Sequence, residues 1–388
     1  MRGQYLGLTQ ALLIIVPLTI AVRASNNMLM TTIPLLARYN FHFSNTLIGL
    51  LSALTALMTF LSSGLVNSRL RAHSRRLIFI VSSIIYAVVY PLFWSSTPLI
   101  IWPLSAIAGF TLGFLMPNII TSASLLPDRR TRERLLNIYT LSLSISLILG
   151  PAIESFILKY YSLRESFLIL TVLPVLALVI TPLVKFPEET SDYSPITYSN
   201  VLSNPGFITA VLNIATYNVV FSFLMAFGGI YARDSFGVSY SMVEILFSLF
   251  FVASFLSRLY LSIKPAERLW PFMGNAVLLT VIGVVMIGFT NNYLVYTAAL
   301  LVLGIPHGIT YPLSVVAISR AFKPQHRNTA NSLFFSFMML IGIFTPMVTG
   351  YIADLIGIRN TFIVLILPVI TALVFLRKYV KTVDKPPG

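Results

Sequence analysis

The chain has 388 residues, of which 57% are hydrophobic and only 10% charged, and its mean hydropathy of +0.87 excludes an ordinary soluble globular domain. It contains no cysteine, which excludes disulfides, thiolate metal sites and cysteine nucleophiles. A formal net charge of +14 would suggest nucleic acid as a partner for a soluble protein, but here the charges lie mostly in alternate loops and indicate membrane topology instead.

Twelve apolar segments are long enough to cross a bilayer, which takes roughly 20 helical residues. Each is bounded by charged residues, prolines or polar clusters. The predicted spans cover residues 9–37, 45–67, 76–95, 98–126, 135–160, 163–185, 207–232, 240–263, 270–290, 292–321, 328–354 and 357–379. The sequence therefore predicts an all-α integral membrane protein with twelve transmembrane helices in the cell membrane.

The basic residues are divided unequally between the two sides of this arrangement. Of 26 lysines and arginines, nineteen lie in one set of loops and the termini, five lie in the opposite set, and Arg23 and Arg258 lie within spans. Basic loops remain on the cytoplasmic side of a membrane. Both termini are therefore predicted to be cytoplasmic.

The sequence aligns with itself at a constant shift of 195 residues. ARYNFHFS at 37–44 pairs with ARDSFGVS at 232–239. Further pairs at the same offset are Gly109 and Gly304, Gly113 and Gly308, Pro117 and Pro312, Pro151 and Pro346, and Arg164 and Arg359. A constant offset indicates duplication, so we expect two pseudo-symmetric six-helix bundles, residues 1–186 and 207–388, joined by a polar cytoplasmic linker at 187–206.

With this topology and repeat, the chain resembles the major facilitator superfamily of transporters. The loop GLVNSRLRAHSRR resembles the family's signature between its second and third helices. The matching positions are Gly64, Arg69, Arg75 and Arg76. Ser68 stands where the family has an aspartate, and Arg71 where it has a second glycine. The resemblance implies a gating role for Arg69, Arg75 and Arg76, with topology anchoring as the alternative.

The fifth span resembles the glycine-proline signature of the superfamily's antiporters through Gly150 and Pro151. Ser146, Glu154 and Ser155 replace the glycines of that signature, which weakens assignment as an antiporter.

In the family, the first, fourth, seventh and tenth helices surround a central cavity. The resemblance therefore implies that polar side chains near the middle of these spans bind substrate. The candidates are Arg23, Asn26, Asn27, Asn118, Asn213, Tyr217, Asn218, His307 and Tyr311. Helix packing is the alternative for the isolated asparagines and tyrosines.

Arg23 is the most informative of these candidates. It lies near the centre of the first span, on one stripe with Asn26, Asn27 and Met30. An arginine at that depth costs about 2.5–3.5 kcal/mol and requires a partner or a hydrated cavity. Contact with substrate is one interpretation. A structural ion pair is the other, with Glu154, roughly 10 Å nearer the outside by helical rise, as candidate partner.

The motifs that the sequence lacks and the ionisable side chains within its spans indicate the class of function. It has no nucleotide-binding loop and no HExxH or GxSxG motif, so we expect no enzyme, no metal and no cofactor. Glu154 and His307, with Glu244 as a further candidate, are protonatable within spans and are predicted to couple transport to protons.

Three transport functions remain open. The first is a monomeric secondary transporter that exports amphipathic drugs or metabolites by alternating access; the second takes up or exchanges a small organic anion bound by Arg23, and the third is a facilitated uniporter. Asn218, the repeat partner of Arg23, removes the second arginine that anion carriers of the family use. A passive channel would need a continuous polar lining.

Overall fold

A computed structural model describes residues 8–67, 70, 72–124, 129–184 and 198–384, and within these residues it is helical without a β-strand. The helices are α1 (Leu8–Tyr39), α2 (Asn45–Phe60), α3 (Ala72–Leu92), α4 (Ile101–Ser124), α5 (Arg129–Leu158), α6 (Leu163–Leu170), α7 (Val172–Ile180), α8 (Tyr198–Leu202), α9 (Pro205–Phe236), α10 (Tyr240–Ile263), α11 (Leu269–Phe289), α12 (Tyr293–Ala321), α13 (Pro324–Ile356), α14 (Ile358–Val364) and α15 (Ile366–Val383).

Twelve candidate membrane spans occur in the described part of the chain, which confirms the predicted number. Two of them consist of helix pairs, α6 with α7 and α14 with α15. Another continues from α2 into a π-helical segment, Leu61–Val66.

Some predicted span ends differ from those in the structure by a few residues. The fourth predicted span, 98–126, begins before α4 because residues 98–100 form turns, and α4 is described as far as Ser124. The twelfth, 357–379, is shorter than Ile358–Val383, because basic residues end the apolar run without ending the helix.

Several helix starts carry polar caps that satisfy the otherwise unpaired backbone N–H groups. Ser162 and Glu165 form a capping box at α6, in which the Glu165 carboxylate accepts from the Ser162 N–H at 2.8 Å. Asn204 caps α9 and Asn292 caps α12 through side-chain oxygens that accept backbone N–H groups. These short polar residues end the loops and set where each span begins.

Two other helix starts are capped by carboxylates from distant segments. Asp354 accepts the backbone N–H groups of Asn45 and Thr46, each at 2.8 Å, at the start of α2. Asp384 accepts the N–H of Trp270 at 2.8 Å at the start of α11. A negative charge at a helix N-terminus is favourable because the backbone dipoles point their positive ends there.

By their contacts the residues form two compact units. Unit 1 contains Met1–Phe43, Leu51–Thr190 and Ser239–Ser248. Unit 2 contains Ser44–Leu50, Ser191–Val238 and Leu249–Gly388. Ser44–Leu50 belongs to the unit formed mostly by the second half of the chain, and Ser239–Ser248 belongs to the unit formed mostly by the first half. The two segments are related by the 195-residue offset. The predicted linker falls largely on residues 185–197, outside the described residues, so the division at 187–206 stays a prediction.

The same close helix packing recurs in both units at the repeat offset. In unit 1, Gly109 of α4 lies against the backbone oxygen of Thr55, so closely that a Cβ would clash. In unit 2, Gly304 of α12 lies in the same way against the backbone oxygen of Phe250. Thr55 and Phe250 are themselves 195 positions apart. The duplication detected in the sequence is therefore also a duplication of helix contacts.

One turn further along, the next glycine of each helix shows the same correspondence. A Cβ on Gly113 would meet the Ser62 hydroxyl, and a Cβ on Gly308 would meet the Ser257 hydroxyl. These serines are again 195 positions apart. Small residues at such positions let helix backbones approach closely, which is how helices associate in a membrane.

Candidate functional site

Arg23 lies half-buried on α1, within unit 1. Among the described residues it forms neither a hydrogen bond nor an ion pair. Its neighbour on the stripe, Asn26, is also half-buried, and its amide nitrogen lies 3.7 Å from the Met30 sulfur. Asn27 is buried, and its amide nitrogen has no hydrogen-bond partner in the described part of the chain. The stripe thus keeps unused donor groups.

The structure does not bring Arg23 to Glu154, its candidate partner. The Glu154 carboxyl group instead accepts a hydrogen bond from the Thr32 hydroxyl. Thr32 lies nine residues after Arg23, about 13 Å further along α1 at 1.5 Å per residue. The separation along the helix axis is therefore too large for the Arg23 and Glu154 side chains to form an ion pair.

Besides Thr32, Glu154 has an acidic neighbour, Glu244 of α10. Both carboxyl groups are completely buried in unit 1. The Thr31 hydroxyl lies 3.4 Å from a Glu244 oxygen. Two consecutive threonines of α1 thus hold one glutamate each. One oxygen of each carboxyl group, Oε2 of Glu154 and Oε1 of Glu244, has no hydrogen-bond partner among the described residues.

Serines beside the two glutamates join α5 to the first turns of α10. The hydroxyls of Ser155 and Ser241 are 3.0 Å apart. The Ser248 hydroxyl donates to the Ile148 carbonyl at 3.1 Å. We call this group of side chains on α1, α5 and α10 the three-helix junction, defined by Thr31, Thr32, Glu154, Ser155, Ser241 and Glu244.

His307 of α12 lies in a different environment, in unit 2. Its Nδ1 is 2.7 Å from the Ser254 hydroxyl of α10. Its ring is surrounded by four aromatic rings with centroids 4.6–5.7 Å away, those of Phe221, Phe250, Phe251 and Tyr217. The hydroxyl of the buried Tyr217 has no hydrogen-bond partner among the described residues. We call these five rings the aromatic cluster.

Arg258 adds a cation close to this cluster, and the sequence analysis gave it no role. Its Nε lies 3.4 Å from the Gly308 carbonyl, and it interacts electrostatically with both His307 and Tyr311. The signal that could have identified it was its position inside the eighth span, where a charge is rare and costly. Tyr311 itself is 43% exposed and its ring lies 6.0 Å from that of Phe334.

The remaining candidate asparagines donate hydrogen bonds within the helix packing. Asn118 is buried and donates to the Asn67 side chain at 2.8 Å. Asn213 is buried and donates to the Thr310 carbonyl and the Ser314 hydroxyl, both at 2.9 Å. Asn218 donates to the Met338 carbonyl at 3.1 Å. These contacts favour packing roles for Asn118 and Asn213, whose donors are directed at neighbouring helices.

The three predicted gating arginines divide between described and undescribed parts of the chain. Arg69 lies outside the described residues. Arg75, in the first turn of α3, donates to the carbonyl of Leu70, which precedes that helix, at 3.1 Å. Arg76 reaches the Pro182 carbonyl at 3.5 Å. Both contacts anchor the basic loop to backbone carbonyls, and the gating role stays a prediction.

Acidic and histidine side chains do not gather elsewhere. Within the described ranges, no group of three or more such side chains is placed to hold a metal ion. Of the predicted proton-coupling side chains, Glu154 and Glu244 lie in the three-helix junction in unit 1, and His307 lies in the aromatic cluster in unit 2.

Solved structures of transporters share this fold. A bacterial homologue of the human lysosomal transporter Spinster, solved inward-facing, matches over 97% of this chain and 96% of its own at 17% identity with a TM-score of 0.72 when occupied. In its unoccupied form the TM-score is 0.76, at 13% identity over 97% of both chains. A point mutant of the nucleoside transporter NupG gives 0.69, at 14% identity over 97% of this chain and all of that one. At these identities the likeness concerns the fold alone.

Sequence comparison identifies the family. A search of curated proteins gave no significant match. The sequence profile of the Major Facilitator Superfamily matches residues 15–316 and 207–388, which together cover most of the chain. Because this match, the twelve spans and the internal repeat agree, the chain belongs to the Major Facilitator Superfamily and is a multi-pass membrane transporter.

Proposed function

We propose that this chain is a proton-coupled secondary transporter that exports amphipathic solutes across the cell membrane by alternating access. The observation that carries the proposal is the complete burial of Glu154 without a cationic partner among the described residues. A carboxyl group removed from water binds a proton more readily than an exposed one, so it can exchange protons as its surroundings change. Arginine stays charged and cannot serve in this way.

The aromatic cluster supports an amphipathic substrate. The half-buried Phe221 and His307 offer apolar and polar contact area, while Phe250, Phe251 and Tyr217 are buried and support them. Ligand sites for drug-sized molecules combine these two features. His307 is the second proposed proton-coupling residue, because it is an ionisable side chain within a span.

Arg23 favours a second candidate function, the transport of a small organic anion. A half-buried guanidinium without a partner in the described part of the chain retains all five of its donors for a carboxylate. The NupG likeness adds nucleosides as a third solute class to be tested.

Transport into proteoliposomes tests the proposal with three probes: ethidium as amphipathic solute, gluconate as organic anion and uridine as nucleoside. With an acidic lumen, exchange for protons should accumulate ethidium in the lumen above the level in protein-free liposomes. Glu154→Gln should abolish the dependence on the pH gradient while the protein remains folded and monodisperse. Gradient-independent ethidium transport by the wild type would contradict proton coupling, and an unchanged response in Glu154→Gln would point to His307.

The Arg23 variants are measured in the same liposomes. Arg23→Ala should preserve folding and reduce gluconate transport at least about tenfold, because the fixed positive charge that would bind the anion is lost. Arg23→Lys should keep partial activity, since it retains the charge without the planar fork. Wild-type transport by folded Arg23→Ala would show that the charge serves only the structure, and gluconate as the single transported probe would favour the anion function.

A further inference from the structure

The hydrogen bonds of Thr31 and Thr32 indicate which glutamate of the three-helix junction accepts a hydrogen bond and which one donates. A threonine hydroxyl has one proton to donate. The Thr32 hydroxyl donates its hydrogen bond to Glu154. The Thr31 hydroxyl lies 3.2 Å from the Asn27 carbonyl, closer than the 3.4 Å that separates it from Glu244. If Thr31 donates to its own helix, Glu244 must be the donor in their contact, which requires a protonated Glu244.

Electrostatics leads to the same requirement for the pair. The carboxyl groups of Glu154 and Glu244 lie within electrostatic range of each other. No lysine or arginine among the described residues forms an ion pair with either carboxyl group. Two neighbouring carboxylates removed from water cannot both stay ionised, so one of them holds a proton.

The other ionisable groups near the junction do not supply a compensating charge. Tyr90 of α3 lies within electrostatic range of Glu154, and tyrosine is uncharged at neutral pH. Other titratable or charged side chains along the neighbouring helices of unit 1 include Arg23, Arg38 and Tyr39 on α1, Tyr86 on α3, Arg164 and Glu165 on α6, and Tyr240 on α10, with Lys159 just after the end of α5. The nearest cation along the chain, Lys159, lies five residues after Glu154, just beyond the end of α5, and is exposed.

The internal repeat shows that helix packing does not require these acids. At the offset of 195, Glu244 corresponds to Gly49 and Ser155 corresponds to Gly350. In unit 2 the two glycines lie against each other, with a Cβ on Gly350 only 3.2 Å from the Gly49 Cα. The backbone oxygens of Asn45 and Pro346 also lie against these glycines, so the equivalent contact is made there without an acidic side chain at either of the two positions. Glutamate at this position is an asymmetry within the duplication, and its burial cost is not explained by packing.

We propose that Glu154 and Glu244 form a two-carboxyl site that holds one exchangeable proton, and that this proton keeps α5 and α10 in contact at the three-helix junction. Loss of the proton leaves two buried carboxylates that repel each other and separates the helices. The proposal rests on the proposed proton coupling and deepens it, since it assigns the proton to a pair of side chains and gives it a mechanical effect.

The absence of native cysteine allows a direct test in the full-length protein. Ser155→Cys and Ser241→Cys replace hydroxyls that are 3.0 Å apart, which places two thiols within disulfide reach when the junction is closed. The rate of disulfide formation with copper phenanthroline is measured between pH 5 and 9 in this background and with Glu154→Gln, Glu244→Gln or both added. Ratios of rates at the same pH cancel the pH dependence of thiol reactivity.

We expect all four proteins to cross-link at the same rate at acid pH, which also shows that the variants are folded. At alkaline pH the protein with both glutamates should cross-link about tenfold more slowly than any glutamine variant, because one neutral side chain removes the repulsion. Either single variant should equal the double variant. Glu267→Gln, at an exposed position, is the matched control and should behave like the parent.

Two outcomes would overturn the proposal. If Glu244→Gln keeps the pH dependence of the parent while Glu154→Gln loses it, the proton belongs to Glu154 alone, and proton coupling stands without the pair. If all ratios are independent of pH, the junction does not respond to protons. The liposome experiment with Glu154→Gln decides separately whether transport is proton-coupled.

Discussion

Single residues in this protein divide into those that hold helices together and those whose polar groups remain unused. Asn213 uses both hydrogens of its amide group to hold α9 to α12, whereas the side chain of Asn26 has, among the described residues, only a sulfur contact on its own helix. Both were predicted from position alone to bind substrate. Their surroundings distinguish them, because a donor committed to a neighbouring helix is not free to reach a solute.

A pair of alanine substitutions tests this distinction. Asn213→Ala should lower the free energy of unfolding in detergent by about 1 kcal/mol, because two interhelical hydrogen bonds are lost. Asn26→Ala should leave the free energy of unfolding unchanged and alter transport of the solute identified in liposomes. Equal destabilisation by the two substitutions would show that exposure and bonding do not separate the two roles.

The site could be predicted only in part at the residue scale. Arg23 and Glu154 were found because ionisable groups within apolar spans are rare and costly. Thr31 and Thr32 were missed, because threonine in a helix ordinarily bonds to its own backbone and gives no sign of a distant partner. Their carboxyl partners lie 213 positions from Thr31 and 122 positions from Thr32, separations that no local pattern encodes.

Helices in this protein are positioned by small residues as much as by apolar ones. Gly304 of α12 lies so close to the backbone oxygen of Phe250 that any side chain would separate the two helices. Gly342 of α13 has nothing within 4 Å of the position of a Cβ. The two glycines therefore differ in packing, although both lie within long helices.

We expect Gly304→Ala to lower the free energy of unfolding in detergent by about 1–3 kcal/mol through overpacking. Gly342→Ala is the matched control and should be neutral or raise stability by up to about 1 kcal/mol, since alanine is the better helix former. Gly109→Ala, the repeat partner of Gly304→Ala, should behave like it. Stability equal to that of the wild type in both Gly109→Ala and Gly304→Ala would contradict the close approach in both units.

Helix number was predictable because bilayer thickness sets the length of each apolar run. Details within the helices were not. The π-helical segment Leu61–Val66 and the break at Thr171 interrupt runs whose composition is uniformly apolar. Such irregularities depend on contacts with neighbouring helices and leave no mark in hydropathy.

At the scale of the whole molecule, the duplication explains most of the architecture and its exceptions indicate function. Glycine contacts recur in both units at a constant offset, whereas Arg23, Glu154 and Glu244 have no ionisable repeat partner. A feature that the fold requires should occur twice. The charges that occur once are therefore the best candidates for solute binding and proton exchange.

Proton movement driven by a solute tests the central claim, proton coupling through Glu154, most directly. Proteoliposomes with a trapped pH-sensitive dye and no initial pH gradient receive external ethidium. We predict that the lumen of wild-type liposomes becomes more alkaline as ethidium enters in exchange for protons, and that Glu154→Gln abolishes this change. Ethidium entry into wild-type liposomes with no change in luminal pH would contradict the account.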